Sequence, residues 1–209
     1  MRVIGEDELA LAVAALEAGA VIAVPTDTVY GLAARLTPGG VDSLFALKGR
    51  PAELALPVIV GSIAQARTVA SAWPDAAEVL AEHFWPGALT LVVPAPPAVA
   101  SLVGGDGDSV GLRWPGHRVL NALCAALGPL AVTSANRHGA PPATSVEDLI
   151  ASFASPPAPA LAVDGGRCGG APSTVVDCST EPVRCLRDGG VPWADVGVVL
   201  SGVDGMNER

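Results

Sequence analysis

Several short polar clusters in this chain stand where apolar runs end. The cluster "PTDT" (Pro25 to Thr28) follows a run that ends at Val24, "TSAN" follows Val132, and "PST" precedes Val175. Hydroxyl and amide side chains in such places can bind the polar atoms of a ligand, because strand ends and their loops converge in open α/β sheets. The same residue types also close turns and cap helices, so each cluster alone favours turn chemistry and the set together favours a pocket.

Cationic side chains accompany these clusters. Strand alternation in "SVGLR" places Ser109 and Arg113 on one face with the intervening glycine, which makes a poor core and a good pocket floor. Lys48, the only lysine of the chain, and Arg50 end a predicted helix, where cations also complement the helix dipole. Together with Arg187, which ends another predicted strand, these side chains could bind a polyphosphate.

The elements that would position these residues alternate in type. Short apolar runs alternate with segments of helical period, which is the pattern of an α/β domain. The predicted strands cover residues 20–24, 57–60, 88–93, 109–113, 130–133, 160–163, 173–177 and 183–186. The predicted helices cover residues 6–18, 41–48, a segment from residue 62, 74–83, 117–127 and 145–153. We predict one domain, residues 1–200, followed by a polar tail, residues 201–209.

Composition limits the class of protein. Half of the 209 residues are apolar, which suffices for a substantial core, and the net charge of −9 argues against a nucleic-acid binder with a broadly basic face. The longest apolar runs are well short of a membrane span, and the N-terminus carries acidic groups where a signal peptide needs positive charge. We therefore expect a soluble, cytoplasmic protein.

The sequence lacks the motifs of several common catalytic and metal sites. It contains no GxxxxGK[ST] and no GxSxG, and no GxGxxG follows a predicted strand. Its four cysteines show no CxxC pairing, so neither a zinc site nor a disulfide framework is expected. We predict no protein-bound metal.

Six motifs along the chain resemble those of one known family. In chain order they are "PTDTVYGLA", "KGRP", "FWPGALTLVV", "VGLRWPGH", "TSANRHGAP" and "STVVD…CLRDGG". This set is similar to the YrdC/TsaC family, the threonylcarbamoyl-AMP synthases, from about residue 8 to residue 190. The resemblance implies a single-domain α/β fold, a twisted mixed sheet with flanking helices around a concave cationic cavity.

The resemblance also implies an activity. Members of this family condense L-threonine, bicarbonate and ATP, which carries Mg2+, into threonylcarbamoyl-adenylate and release pyrophosphate. A separate transferase complex then uses this product to form N6-threonylcarbamoyladenosine at position 37 of tRNA. Direct contact of this chain with tRNA is therefore expected to be weak or indirect.

The site residues that the resemblance implies fall into four groups. The threonine site would contain Thr28, Arg113, Val132 (through its backbone) and Ser173. The ATP site would contain Lys48, Arg50, Ser109, Ser134, Asn136, Pro142 and Arg187. Lys48 and Arg50 would also be the catalytic pair, and Tyr30 would form a wall of the pocket.

Two departures from the family pattern concern this site. Gly61 stands where many relatives carry a histidine, and Pro172 stands where a glutamate usually precedes "STVVD", so local binding geometry could differ. The Gly- and Pro-rich residues 165–172 are a candidate lid over the reacting groups.

Two other functions stay open. An RNA-binding module would also use a concave cationic cavity, although the net charge of −9 and the few aromatic residues weigh against it. A carbamoyl-adenylating domain of the hydrogenase-maturation type shares the fold that the resemblance implies, but such domains occur in much longer chains with further segments.

Overall fold

The computed structural model describes residues 1–49, 51, 54–105 and 107–204 of the chain. In these residues ten strands form one sheet, and eight α-helices flank it. The strands are β1 (Arg2–Gly5), β2 (Ile22–Val24), β3 (Gly31–Arg35), β4 (Val58–Ile59), β5 (Leu89–Pro94), β6 (Ser109–Arg113), β7 (Leu130–Ser134), β8 (Leu161–Asp164), β9 (Thr174–Asp177) and β10 (Arg184–Arg187). The helices are α1 (Leu9–Glu17), α2 (Pro38–Lys48), α3 (Ile63–Val69), α4 (Asp75–Phe84), α5 (Pro97–Val103), α6 (Arg118–Leu127), α7 (Val146–Ser152) and α8 (Trp193–Asp204).

The sheet is mixed, which confirms the predicted fold class. Across the described segments the strand order is β1-β8-β2-β3-β7-β4-β6-β5-β9-β10. Strands β1 and β2 lie parallel to β8, β4 lies parallel to β6, and β5 lies parallel to β9. The other neighbours are antiparallel. Three strands separate β2 from β6, so a contact between their ends requires a loop that folds across the sheet.

Strand alternation separates two apolar cores, one on each face of the sheet. Val110 and Leu112 of β6 belong to the larger core, which includes residues from α2 to α5, α7 and α8. The smaller core lies under α1 and α6 and takes its strand residues from β1, β8, β2, β3, β7 and β4. On the same face, Thr90 of β5 and Arg113 of β6 are buried polar residues. This polar half of the face carries the candidate site.

Four elements were not predicted from the sequence. Strand β3 has the sequence "GLAAR", whose glycine and alanines are weak strand formers, but pairing with β2 and β7 buries it. Helix α5 begins at a proline, which suits the first helical turn, yet it lies in a Pro-rich stretch that resembles a loop. Strand β1 and helix α8 were also missed. Helix α8 ends at Asp204 and thus includes the first four residues of the predicted tail.

The lengths of the helices can be compared with the predicted boundaries and with the length needed to span a membrane. Residues Glu6–Glu8 form a 3-10 turn, so α1 begins three residues later than predicted. None of the helices in the described segments has the length and apolarity required to cross a lipid bilayer.

Candidate functional site

A cavity of about 240 Å³ lies over the polar half of the sheet face. Strands β3, β4, β5, β6 and β7 and the ends of β2, β9 and β10 contribute to it. Its lining consists of Thr26, Thr28, Val29, Tyr30, Gly31, Pro57, Ile59, Thr90, Arg113, Pro115, Val132, Thr133, Ser134, Pro142, Pro172, Ser173 and Arg187. Apolar side chains thus alternate with hydroxyls, and two arginines face the same space.

The hydroxyl of Thr26 closes the turn after β2. Its Oγ1 accepts hydrogen bonds from the amides of Thr28 (2.9 Å) and Val29 (3.1 Å) and donates to the Val29 carbonyl (2.7 Å). The hydroxyls of Thr26 and Thr28 also lie within hydrogen-bond distance of each other, 2.9 Å apart. Thr28 Oγ1 also accepts a hydrogen bond from Arg113 Nη1 (3.0 Å).

Arg113 is the last residue of β6 and lies beside this turn with 7% of its surface exposed. Its Nε donates to the Gly87 carbonyl (3.0 Å), Nη1 to Thr28 Oγ1 (3.0 Å) and Nη2 to Asp27 Oδ1 (2.5 Å). These bonds use three of the five N–H groups of the side chain, so one N–H on each Nη nitrogen remains for a ligand. Burial lowers the pKa of Arg113, the Asp27 carboxylate opposes this shift, and the Arg187 guanidinium adds to it.

Arg187 reaches the cavity because strand β10 contains a bulge. Cys185 lies opposite Val176 and Arg187 lies opposite Val175, so Leu186 is an extra residue in the strand. Val176 belongs to the larger core, and its neighbour Val175 therefore points to the other face of the sheet. The bulge places Arg187 on that face, the one that carries the cavity.

A hydrogen-bond chain holds Arg187 against Ser173. Nε donates to the Ser173 carbonyl (3.0 Å), Nη2 donates to Ser173 Oγ (3.1 Å), and this hydroxyl also bonds Thr90 Oγ1 (2.8 Å). Gly189 allows the segment that follows Arg187 to lie close to the segment that precedes Ser173, since a Cβ on Gly189 would lie 2.5 Å from the Pro172 carbonyl oxygen. Partial desolvation of the guanidinium lowers the pKa of Arg187, although the residue as a whole is exposed.

Lys48 ends helix α2 and is buried behind the cavity wall. The helix starts after Thr37, whose hydroxyl accepts from the Gly40 amide, and stops at Gly49, whose φ of 64° is left-handed. Lys48 Nζ donates to the carbonyl (2.6 Å) and hydroxyl (3.0 Å) of Ser134 and to Asn136 Oδ1 (3.0 Å). It thus fixes the wall at the end of β7.

Tyr30, the only tyrosine of the chain, connects the cavity to the candidate lid. Its hydroxyl donates to the Gly166 carbonyl (2.9 Å) and accepts from the Gly165 amide (3.2 Å). Burial raises the pKa of Tyr30 to about 12. Gly170 adds a bond from its amide to the Thr28 carbonyl (2.6 Å), so residues 165–170 are tied to both ends of the turn.

A second depression is larger, about 700 Å³, but has weaker binding chemistry. It lies beside the N-termini of α1 and α6, and its lining includes the acids Glu6, Asp7 and Asp164. Its cation, Arg118, forms an ion pair with Glu6. Among the described residues, no group of three or more His, Cys, Asp or Glu side chains is placed to hold a metal ion.

Comparison with known proteins identifies the family. The Sua5/YciO/YrdC family model, described as "Telomere recombination", matches residues 14–189. The chain belongs to this family. The motif resemblance to the YrdC/TsaC proteins is thereby confirmed.

Several relatives are similar to this protein over most of the chain. A threonylcarbamoyl-AMP synthase of Pyrococcus abyssi (strain GE5 / Orsay) is 36% identical over 94% of this chain and 58% of its own length. A putative threonylcarbamoyl-AMP synthase of Mycobacterium leprae (strain TN) is 37% identical over 92% of this chain and 87% of its own. The crystal structure of P. abyssi Sua5 complexed with L-threonine superposes with a TM-score of 0.90 at 35% identity, over 95% of this chain and 61% of that one. The chain therefore spans about three fifths of the archaeal relative.

The residues predicted from the Sua5/YciO/YrdC-type motifs fall into three groups in the structure. The first group lines the cavity: Thr28, Tyr30, Arg113, Val132, Ser134, Pro142, Ser173 and Arg187. The second group, Lys48 and Asn136, lies behind Ser134 and bonds to it. Ser109 lies at the opposite end of β6 from Arg113 and does not line the cavity. Arg50 lies outside the described residues.

Two polar residues of the site had no predicted role. Asp27 stands in the "PTDT" motif, and nothing in the sequence indicates that it pairs with Arg113, 86 residues away. Thr90 alternates with Leu89 and Leu91 of the larger core, so strand periodicity would have placed it on the polar face.

The two departures from the family pattern lie in different environments. The Gly61 amide donates to Gln65 Oε1 (2.8 Å), and a Cβ on Gly61 would lie 3.1 Å from the Cβ of Cys124 in α6. Gly61 does not line the cavity, whereas Pro172 does, and its carbonyl accepts from the Gly190 amide (2.8 Å). Of the two, only Pro172 can alter the cavity wall directly.

Proposed function

We propose that this protein is an L-threonylcarbamoyladenylate synthase, which condenses L-threonine, bicarbonate and ATP and releases pyrophosphate. The observation that carries the proposal is one cavity in which a buried, fixed guanidinium, that of Arg113, faces a second guanidinium, that of Arg187. The names of the similar synthases and the threonine complex of P. abyssi Sua5 support threonine as the amino acid.

The Arg113 side of the cavity suits an amino acid. The two remaining N–H groups of Arg113 would bind the carboxylate through charge-assisted hydrogen bonds. Thr28 Oγ1 would form a hydrogen bond with the substrate's amino or hydroxyl group. Ile59 would contact the methyl group of threonine, and Val132 would contribute its backbone.

The reaction then proceeds without a protein nucleophile. The free amine of threonine attacks the carbon of bicarbonate, a C–N bond forms, and water leaves to give the carbamate. A carbamate oxygen attacks the α-phosphorus of ATP, the bond to the β-phosphate oxygen breaks, and pyrophosphate leaves. The protein would contribute position and charge neutralisation.

The Arg187 side would receive the nucleotide. A cavity of about 240 Å³ lies below the range of about 300–1,000 Å³ typical of ligand pockets, so the adenosine must extend beyond it. Ser134 and Pro142 line the cavity on the β7 flank, across β6 from Arg187, so ATP would extend across the cavity, with Lys48 and Asn136 behind Ser134. Arg50 and Ser109 stay predicted ATP contacts. Mg2+ would enter with ATP as part of the substrate.

The chemistry of the proposed product indicates which reaction must follow. A carbamoyl-adenylate is a mixed anhydride, so an amine acceptor must consume it, and the exocyclic amine of adenosine 37 in tRNA is that acceptor in this proposal. A separate transferase would perform that step. The cytoplasm, where ATP and tRNA meet, is the compartment that this role requires.

The direct test is pyrophosphate release from ATP and bicarbonate, screened across the twenty amino acids. Release should depend on L-threonine and on bicarbonate, and mass spectrometry should detect the adenylate. Turnover without any amino acid, or none with all twenty, would contradict the proposal.

Two control experiments test the two alternative functions, a carbamoyl-adenylating domain and an RNA-binding module. Pyrophosphate release that requires carbamoyl phosphate instead of threonine would favour the hydrogenase-maturation type of chemistry. Duplex RNA binding with a steep salt dependence, in the absence of turnover, would favour an RNA-binding module.

A further inference from the structure

Asp27 joins three parts of the candidate site. Its Oδ1 accepts from Arg113 Nη2 (2.5 Å) and its Oδ2 accepts from the Gly116 amide (3.1 Å). The first bond reaches β6 and the second reaches the loop between β6 and α6. Asp27 itself lies in the turn after β2, next to Thr28, whose hydroxyl bonds the same guanidinium.

The pair is buried unequally. The Arg113 side chain is 9% exposed and that of Asp27 is 19% exposed, and Asp27 does not line the cavity. A guanidinium this deeply buried needs a counter-charge. Removal of one partner from such a pair is far more costly than replacement of both partners by apolar residues of similar volume. Asp27 therefore touches Arg113 without reaching the space that a ligand would occupy.

We infer that Asp27 is the positioning residue of the carboxylate site, an inference that rests on the proposed function. It fixes the plane of the Arg113 guanidinium from one side while Thr28 and the Gly87 carbonyl fix it from the other two. It also balances the charge of Arg113 before a substrate carboxylate arrives. The amino-acid site therefore has no net charge from this pair, which suits a zwitterion better than a simple anion.

A purely structural role makes a different prediction. If Asp27 served only to hold the Gly116 loop, its loss would disturb threonine and ATP use alike. If it acts through Arg113, its loss should affect the amino acid selectively, and the effect should vanish once Arg113 is gone.

The test compares Asp27→Asn with Asp42→Asn, which removes the same charge from an exposed position in α2. Asp27→Asn should raise the KM for threonine by about tenfold to a hundredfold, since a misplacement of about 1 Å in a binding group costs that much. The KM for ATP should stay within about twofold, as should both constants of Asp42→Asn. An unchanged threonine KM in Asp27→Asn, or equal increases in both constants, would overturn the inference.

A double-mutant cycle sharpens this result. In an Arg113→Met background, threonine affinity measured by calorimetry should be the same with and without Asp27→Asn. Additive losses would assign Asp27 a role independent of Arg113 and contradict the inference.

Two further measurements keep the test decisive. If Asp27→Asn does not fold, Asp27→Glu is the substitute, because it keeps the charge. It should raise only the threonine KM, by about threefold to tenfold, and an equal rise in the ATP KM would contradict the inference. If the unaltered protein shows no threonine-dependent release, the proposed function fails by itself. Calorimetry of the same variants with each amino acid then tests Asp27 separately, and a ligand bound equally by Asp27→Asn would overturn it.

Discussion

The two arginines of the cavity are held in different ways. Arg113 is buried and donates to three groups on two segments of the chain, and one of these groups is the Asp27 carboxylate. Arg187 is exposed, and both of its hydrogen bonds go to the neutral residue Ser173. The first guanidinium has one orientation, whereas the second can adjust at little cost. In the proposed reaction this difference is useful, because the amino acid stays fixed while the phosphates change their charge and leave.

Loss of Arg113 should have the largest effect. Arg113→Ala removes the bond to the substrate carboxylate, and loss of one partner of a buried charged pair costs about 2–5 kcal/mol, so the threonine KM should rise at least about thirtyfold. The melting temperature should also fall, since Asp27 is left partly buried without its cation. Steady-state pyrophosphate release and scanning calorimetry measure the two effects. A near-normal threonine KM would contradict the assignment.

The sequence predicts the Arg113 side better than the Arg187 side. Regular alternation in "SVGLR" places Arg113 opposite Val110 and Leu112, and the structure confirms it, since both are in the larger core. The same rule applied to β10 would put Arg187 on the face of Cys185, which is wrong because of the bulge at Leu186. A bulge depends on pairing with a neighbouring strand, and a single sequence does not contain that information.

The sequence also does not predict the contacts between segments that are distant along the chain. The motifs indicate which residues carry hydroxyls and charges, but three strands separate β2 from β6 in the sheet, so the pairing of their ends depends on tertiary structure. The sequence did not predict β3 either, although Gly31 at its start lies so close to β7 that a Cβ there would lie 2.7 Å from Val132 Cγ1. That strand forms because its neighbours pair with it on both sides.

Arg187 should have an intermediate and separable effect. Arg187→Ala should raise the KM for ATP by about tenfold, the cost of one charge-assisted contact, while the threonine KM stays within about twofold. The melting temperature should change little because the side chain is exposed and has no acidic partner in the described structure. If Arg187→Ala raised the threonine KM as strongly as Arg113→Ala does, the division of the cavity into two sides would be wrong.

The smallest effect should come from the hydroxyl of Thr90, which supports the Arg187 side. Thr90 Oγ1 bonds Ser173 Oγ (2.8 Å), which accepts from Arg187, so Thr90 helps to orient the adaptable arginine without a charge of its own. Thr90→Val keeps the shape of the side chain and removes one neutral hydrogen bond. Such a bond typically contributes about 0.5–1.5 kcal/mol, so kcat/KM should fall about threefold. Thr90→Ser retains the hydroxyl and is the matched control that should restore the lost activity. A loss in Thr90→Ser with none in Thr90→Val would show that packing of the methyl group matters and that the bond to Ser173 does not, in which case Ser173 alone orients Arg187.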